Sequence, residues 1–305
     1  YRSQRRGGRG VQGATSRDED FVEHLFVANT HSYILFFTDK GKCYWVKVYD
    51  IPEGGRAAKG RAIVNLVGCE PDEKVSAFIS VKEFNDDHFV VMATEKGIVK
   101  KTKLSAYSNP RKKGIYAVEI RDGDKLIEAR VSTGDNDILL GTRNGKSIRF
   151  SEEQIRPSGR KTMGVKGITL SAEDDRLVGM LLIKREGTTV LVATEKGFGK
   201  RTEISQYRAQ KRGGKGVLTM KTTEKVGKMV TIKEVVDKDD LMIITNQGVL
   251  IRQPVSQIRA IGRATQGVKL IKLGEGTLVS SITRIMSEED DGDENNSAEP
   301  EGGSE

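Results

Sequence analysis

The residues whose types and spacing most clearly suggest chemistry open the chain, in Gln4-Arg5-Arg6-Gly7-Gly8-Arg9-Gly10. Three guanidiniums fall within five positions among glycines, so the backbone can approach a surface closely while planar cationic forks meet phosphate oxygens. The chemistry this implies is anion binding. Gly8-Arg9-Gly10-Val11-Gln12-Gly13 also spells the dinucleotide fingerprint G-x-G-x-x-G, but that motif needs an apolar strand directly before it, and the preceding residues are polar and cationic.

Weakened copies of this box return along the chain. An Arg followed four residues later by Gly occurs at Arg6/Gly10, Arg56/Gly60, Arg160/Gly164, Arg212/Gly216 and Arg263/Gly267, and Gly114 heads a sixth copy whose Arg has moved to Arg111. The glycines are spaced 50, 54, 50, 52 and 51 residues apart, which marks a repeat protein. Within the boxes the candidate anion ligands are Arg56, Lys59, Arg111, Lys112, Lys113, Arg160, Lys161, Lys211, Arg212, Lys215 and Arg263. A second set recurs seven residues after each Thr of the Thr-x-x-Gly signature described below: Lys101, Arg149, Arg201 and Arg252, with Trp45 in the first repeat. A cation repeated at one position of a ring predicts a basic band. Solubilising and guarding strand edges is the plainer account of any one of these residues, and it explains the whole set less well.

Other motifs carry less. Gly141-Thr-Arg-Asn-Gly145-Lys146-Ser147 resembles a phosphate loop but has three residues between its glycines where four are needed, and it falls in a predicted hairpin turn. His24, His31 and His88 stand without a second ligand in metal spacing, and acidic pairs such as Asp86-Asp87 and Asp174-Asp175 fall in turns where solvated charge is the default. The sequence contains no G-x-S-x-G. No catalytic constellation is expected, and no cofactor.

Composition agrees with a polyanion partner. The 305 residues carry a net charge of +8, but residues 287–305 hold nine acids and no Lys or Arg, leaving 51 basic against 34 acidic residues in the body, a net +17. Cys43 and Cys69 are expected as reduced thiols. No apolar run approaches the ~20 residues that cross a bilayer, so a cytoplasmic protein without membrane contact is expected.

The elements that must position the boxes follow from a second signature: an apolar run, then Thr-x-x-Gly, then a segment alternating with charge. It occurs at Thr38/Gly41, Thr94/Gly97, Thr142/Gly145, Thr194/Gly197 and Thr245/Gly248. Glycine supplies the positive φ of a tight turn, so each instance predicts a hairpin whose first strand is covered on both faces and whose second, such as Ile98–Leu104, faces water on one side. Between box and hairpin there is room for two further strands, such as Ala62–Val67 and Val75–Val81. Four short strands per ~50-residue repeat is propeller arithmetic, and a β-sandwich with accidental periodicity is the alternative. There are six boxes but five hairpins. A sixth hairpin is expected upstream of Tyr1 in a longer parent protein, where it would pair with Gly267–Leu273 and Thr277–Arg284. The tail is too polar to fold and is expected to be disordered.

Box and repeats together resemble the C-terminal domain of the DNA gyrase A subunit, whose box Q-R-R-G-G-K-G matches Gln4–Gly10 apart from Arg9. Leu25–His31 and the six degenerate boxes extend the resemblance over residues 1 to about 286. It implies an all-β fold, a six-bladed β-pinwheel over residues 1–286, with a disordered acidic tail at 287–305. It also implies a function: wrapping duplex DNA in a right-handed sense, without reading its sequence, so that an ATP-hydrolysing type IIA topoisomerase introduces negative supercoils. The partners implied are DNA and, in an A2B2 assembly, the B subunit together with the remainder of the A subunit; catalysis would lie outside this chain. By the same resemblance Gln4, Arg5, Arg6, Gly7, Gly8, Arg9 and Gly10 would serve wrapping, the blade cations would line the DNA path, and the tail would compete for it. Gln210–Gly216 is an almost intact second box. The alternatives are the equivalent domain of topoisomerase IV, whose box is degraded or absent, and a propeller that scaffolds other proteins; an enzyme using the central channel is the weakest option.

Overall fold

Each Thr-x-x-Gly signature folds as a hairpin for reasons local to its sequence. The threonine is buried, and at four of the five turns its Oγ1 accepts the N–H four residues on: Lys42 N at 3.3 Å from Thr38, Ile98 N at 3.2 Å from Thr94, Lys146 N at 3.3 Å from Thr142 and Val249 N at 3.1 Å from Thr245. Thr194 instead donates to Val226 O. The glycine that ends the turn has positive φ, +81° at Gly145, and a Cβ there would stand 2.1 Å from Met220 O, so it is required both by conformation and by space.

In the computed structural model, which describes residues 11–12, 29–53, 63–111, 113–184 and 187–285, these hairpins form the centres of five four-stranded antiparallel sheets. In blade I the order is Val75–Val81, Tyr33–Thr38, Lys42–Lys47, Ile115–Tyr116. Blade II runs Leu126–Ser132, Phe89–Thr94, Ile98–Lys103, Val165–Lys166. Blade III runs Leu177–Ile183, Asp137–Thr142, Lys146–Ser151, Val217–Leu218. Blade IV runs Met229–Val235, Thr189–Thr194, Phe198–Glu203, Val268–Lys269. Blade V runs Val279–Ile285, Asp240–Thr245, Val249–Pro254, Val11–Gln12.

The fourth strand of every blade is the two-residue strand directly after a box, taken from the next repeat. In blade V it is Val11–Gln12, directly after the first box, with Val11 opposite Leu250 and Gln12 opposite Val249. The blades are thus stitched in succession, and the start of the chain is stitched to the last of them. Hairpin glycine carbonyls secure the stitches of blades I to IV: Gly145 O accepts Thr219 N at 2.8 Å and Met220 N at 3.1 Å, and Gly41, Gly97 and Gly197 do the same for their neighbours. The long strands of all five blades line one central cavity of about 540 Å³, and the core is the set of apolar layers between successive blades, such as Val91, Val99, Ile138, Leu140 and Ile148 between blades II and III.

Several expectations are corrected. The described residues form five blades and not six, because a blade is built on a hairpin and the sequence supplies five; a box contributes only the outermost strand of a neighbour. The last two strands accordingly do not belong together: Val268–Lys269 closes blade IV and Val279–Ile285 belongs to blade V. The run expected as a strand over 62–67 is a short helix, Ile63–Val67. In blades II and IV the second hairpin strand does not face water on one side; in Ile98–Lys103, Lys100 and Lys101 are both buried. Asp175, expected as solvated charge, is buried, and its Oδ1 accepts Asn144 N at 2.9 Å and Arg176 N at 3.0 Å, tying the long strand to the hairpin turn. Cys43 and Cys69 are buried and unbridged. The acidic tail from residue 287 and His24 lie outside the described residues.

Candidate nucleic-acid interface

The described boxes, ending at Gly114, Gly164, Gly216 and Gly267, each follow a short turn after a hairpin and lie against the second strand of the blade before it. The boxes at Arg160, Arg212 and Arg263 share one geometry. The box arginine reaches back to a carbonyl of the preceding box strand: Arg160 Nη1 to Tyr116 O at 3.4 Å, Arg212 Nη1 to Lys166 O at 3.0 Å, and Arg263 Nη1 to Leu218 O at 2.9 Å. The carbonyl two residues before each box glycine accepts an N–H from the preceding repeat, Glu119 N to Thr162 O at 3.1 Å, Thr169 N to Gly214 O at 2.9 Å and Lys221 N to Thr265 O at 3.0 Å. The backbone of Arg212 and Arg263 is fixed by glutamines of the preceding turns, with Arg212 N 2.9 Å from Gln154 Oε1 and Arg263 N 3.3 Å from Gln206 Oε1. Box is therefore joined to box from blade I to blade IV as one continuous band.

On this band the structure brings together many of the cations singled out from sequence. Arg111, Lys113, Lys161, Lys211 and Lys215 are exposed; Arg160, Arg212 and Arg263 are half-buried, spending part of their donors on the neighbouring box. Lys161 stands 5.9 Å from the centre of the exposed Tyr116 ring. Residues Gln4, Arg5, Arg6, Gly7, Gly8, Arg9 and Gly10, with Arg56, Lys59 and Lys112, lie outside the described residues; Gly10 is bonded to Val11, whose strand is the outermost of blade V.

The second set of recurring cations has other work. Lys101 is 4% exposed, its Nζ 2.9 Å from the fully buried Glu152 Oε1, 3.1 Å from Gly134 O, and 4.3 Å from the centre of the Phe89 ring. Arg149 pairs with Asp137 at 2.6 Å and donates to Ile204 O and Tyr207 O of the next blade, each at 3.2 Å. Arg201 pairs with Asp237 and donates to Ile258 O at 2.6 Å, and Arg252 pairs with Asp240 at 2.6 Å. Their recurrence is thus explained by ion pairs and blade-to-blade straps. In blade I the equivalent residue, Trp45, packs edge-on to Tyr33 at 4.9 Å. The body charge is offset locally at these positions, contrary to the expectation from its total.

Sequence reasoning missed a third recurrence. Eight residues before the box glycine stand Arg156, Arg208 and Arg259, all exposed, and the signal was the same register that revealed the boxes. It also missed Lys166 and Lys269, exposed in the two-residue strands that follow the boxes at Arg160 and Arg263. The band can therefore present guanidinium and ammonium donors at regular intervals over successive blades, the arrangement that suits a repeating polyanion.

Against known proteins, the family described as DNA gyrase C-terminal domain, beta-propeller, matches residues 1–29, 32–82, 88–133, 136–184, 188–235 and 239–285, six segments that track the repeats. The chain belongs to that family. The A subunit of a DNA gyrase from Staphylococcus epidermidis is 48% identical over 292 residues, covering 95% of this chain and 33% of the relative, so the chain spans about a third of the length of the curated relatives it matches. Among solved structures, a DNA gyrase A C-terminal domain superposes with a TM-score of 0.82 at 23% identity, covering 94% of this chain and 93% of that one. The C-terminal domain of a DNA topoisomerase IV superposes with 0.76 at 24% identity, covering 84% and 80%. These two likenesses concern the fold. No helix among the described residues is long and apolar enough to cross a membrane.

Proposed function

We propose that this chain binds duplex DNA without sequence preference along the box band, and that within a cytoplasmic DNA gyrase holoenzyme it wraps the duplex in a right-handed sense. The holoenzyme would be an A2B2 assembly of A and B subunits, with strand cleavage and ATP hydrolysis carried by other parts of it. The observation that supports this reading most is the joining of successive boxes by arginine-to-carbonyl contacts. It supports assigning Arg111, Lys113, Arg160, Lys161, Lys211, Arg212, Lys215 and Arg263, with Arg156, Arg208, Arg259, Lys166 and Lys269, to one track. The cations of Gln4–Gly10, Arg56, Lys59 and Lys112 are assigned to the same function on sequence grounds.

Bending DNA is what makes many contacts necessary. The duplex has a persistence length of about 150 bp, so a tight bend costs several kcal/mol and has to be offset by phosphate contacts spread along the arc. Contacts to phosphate carry no sequence information and release counterions, so affinity falls with salt with a slope of about −0.9 per contact. The test is a titration of the 305-residue chain against duplexes of unrelated sequence at several salt concentrations. Equal affinities and a steep common slope are expected. A Lys161→Ala, Lys211→Ala, Lys215→Ala variant should lose about 3 from the slope, about 1 per contact. Binding indifferent to salt, or a preference for protein partners over DNA, would overturn the reading and favour a scaffold.

A further inference from the structure

Lys100 and Lys200 occupy the third position of the second hairpin strand in blades II and IV, 1% and 0% exposed. Neither is in an ion pair among the described residues. Both point at the backbone of a box. Lys100 Nζ donates to Ala117 O at 2.8 Å and to Arg160 O at 2.5 Å. Lys200 Nζ donates to Gly262 O at 2.7 Å, to Arg263 O, and to Thr265 Oγ1 at 3.0 Å. A buried ammonium without a counter-charge is costly, and methionine would fill the same space without that cost.

The boxes held in this way share a sequence that the others lack: Gly159-Arg160-Lys161-Thr162-Met163-Gly164 and Gly262-Arg263-Ala264-Thr265-Gln266-Gly267. In each, the threonine Oγ1 donates to the carbonyl of the leading glycine, at 2.9 Å in both. In blades I and III, where the third position is aromatic or apolar, a different box lies above it. Ile148 sits beneath Gly213-Gly214, its Cδ1 3.4 Å from where a Cβ on Gly214 would stand, and the Tyr44 ring lies 2.7 Å from the corresponding point at Gly114. Lysine is thus matched to the Gly-Arg-x-Thr-x-Gly box, and bulk to the other kind.

We propose that Lys100 and Lys200 are positioning residues of the DNA interface, each holding from inside its blade the main chain of one box so that the cations of that box stand on the band. The inference rests on the DNA-binding reading of the band. It has a consequence beyond structure, because each ammonium lies directly under the track. Burial, and then Arg160 for Lys100 or Arg263 for Lys200, lowers these lysines to about 8, with Glu119 opposing the shift at Lys100. Phosphate above them favours the charged form, so DNA binding is coupled to their protonation.

The experiment compares the 305-residue chain with its Lys100→Met, Lys200→Met and doubly substituted variants in DNA affinity against salt and pH, and in tryptic cleavage after Arg160 and Arg263. Each substitution is expected to lower the salt slope by about 1, to speed cleavage at its own box, and to flatten the fall in affinity that the unaltered chain shows as the pH rises through about 8. Variants that keep the unaltered slope, pH profile and cleavage rate would overturn the proposal. If the unaltered chain fails to bind duplex DNA, the underlying reading fails, and cleavage alone decides the positioning role: unchanged rates at Arg263 overturn it. Should Lys200→Met not fold, Thr265→Ala removes the partner on the loop side, with faster cleavage at Arg263 and a lower slope expected, and unchanged values counting against the proposal.

Discussion

Lys101 and Lys161 carry the same charge in opposite surroundings. Lys101 is sealed against Glu152 and the Phe89 ring, whereas Lys161 stands in solvent beside Tyr116. Glu152 also accepts from Ser132 Oγ at 2.5 Å and from Asn136 N at 3.3 Å, so Glu152→Ala strands an uncompensated buried ammonium together with two donors. That change is expected to cost about 3–5 kcal/mol in urea unfolding while leaving the salt slope of DNA binding intact. Lys161→Ala is expected to do the reverse, with stability within about 0.5 kcal/mol of the unaltered chain and a slope lower by about 1. Lys200 adds a pH signature. Its folded value of about 8 lies below the usual lysine value, so between the two the folded chain holds fewer protons than the unfolded chain, and stability from this site rises with pH. Urea unfolding from about pH 7 to about pH 10 should show the unaltered chain gaining on Lys200→Met as the pH rises above about 8; a constant gap would mean that Lys200 titrates normally.

The hairpins and their order were legible in the sequence because two local rules coincide at each: a buried threonine anchors the turn by hydrogen bonding, and a glycine with positive φ ends it. Gly145→Ala violates both conformation and space, with its Cβ 2.1 Å from Met220 O, so a loss of more than about 1 kcal/mol is expected by thermal or urea unfolding. An unchanged midpoint would mean that blades III and IV are not locked as described. What sequence reading missed lies beyond local pattern. The outermost strands are two residues long and pair with a hairpin dozens of residues earlier, and at the start of the chain with one more than 200 residues later, a distance no periodicity reports. Ile63–Val67 is a short apolar run for which strand and helix share one pattern. Lys101 was expected on the basic band, and nothing in the sequence marks Lys100 and Lys200 as buried, because lysine is usually exposed; only the carbonyls and carboxylate opposite these three make their burial tolerable. The box cations were legible as a set, since repetition singled them out. Separating those on the track from those in ion pairs needed the acids Asp137 and Asp240, each twelve residues before its arginine.

At the scale of the molecule, exchange of the two-residue strands joins blade to blade and carries the cationic band with it. The stitch of Val11–Gln12 to blade V means that the segment bonded to the first box belongs to the last blade in sequence. On the proposed reading, DNA laid along successive boxes is wrapped with one hand, and handedness is what separates wrapping from adhesion. The most direct measurement is ligation of nicked circular DNA in the presence of this chain, followed by removal of the protein and reading of the linking number. A positive shift is predicted, smaller in the Lys161→Ala, Lys211→Ala, Lys215→Ala variant and smaller again when Arg5, Arg6 and Arg9 are also alanine. A negative shift, or no shift despite salt-sensitive binding, would contradict right-handed wrapping.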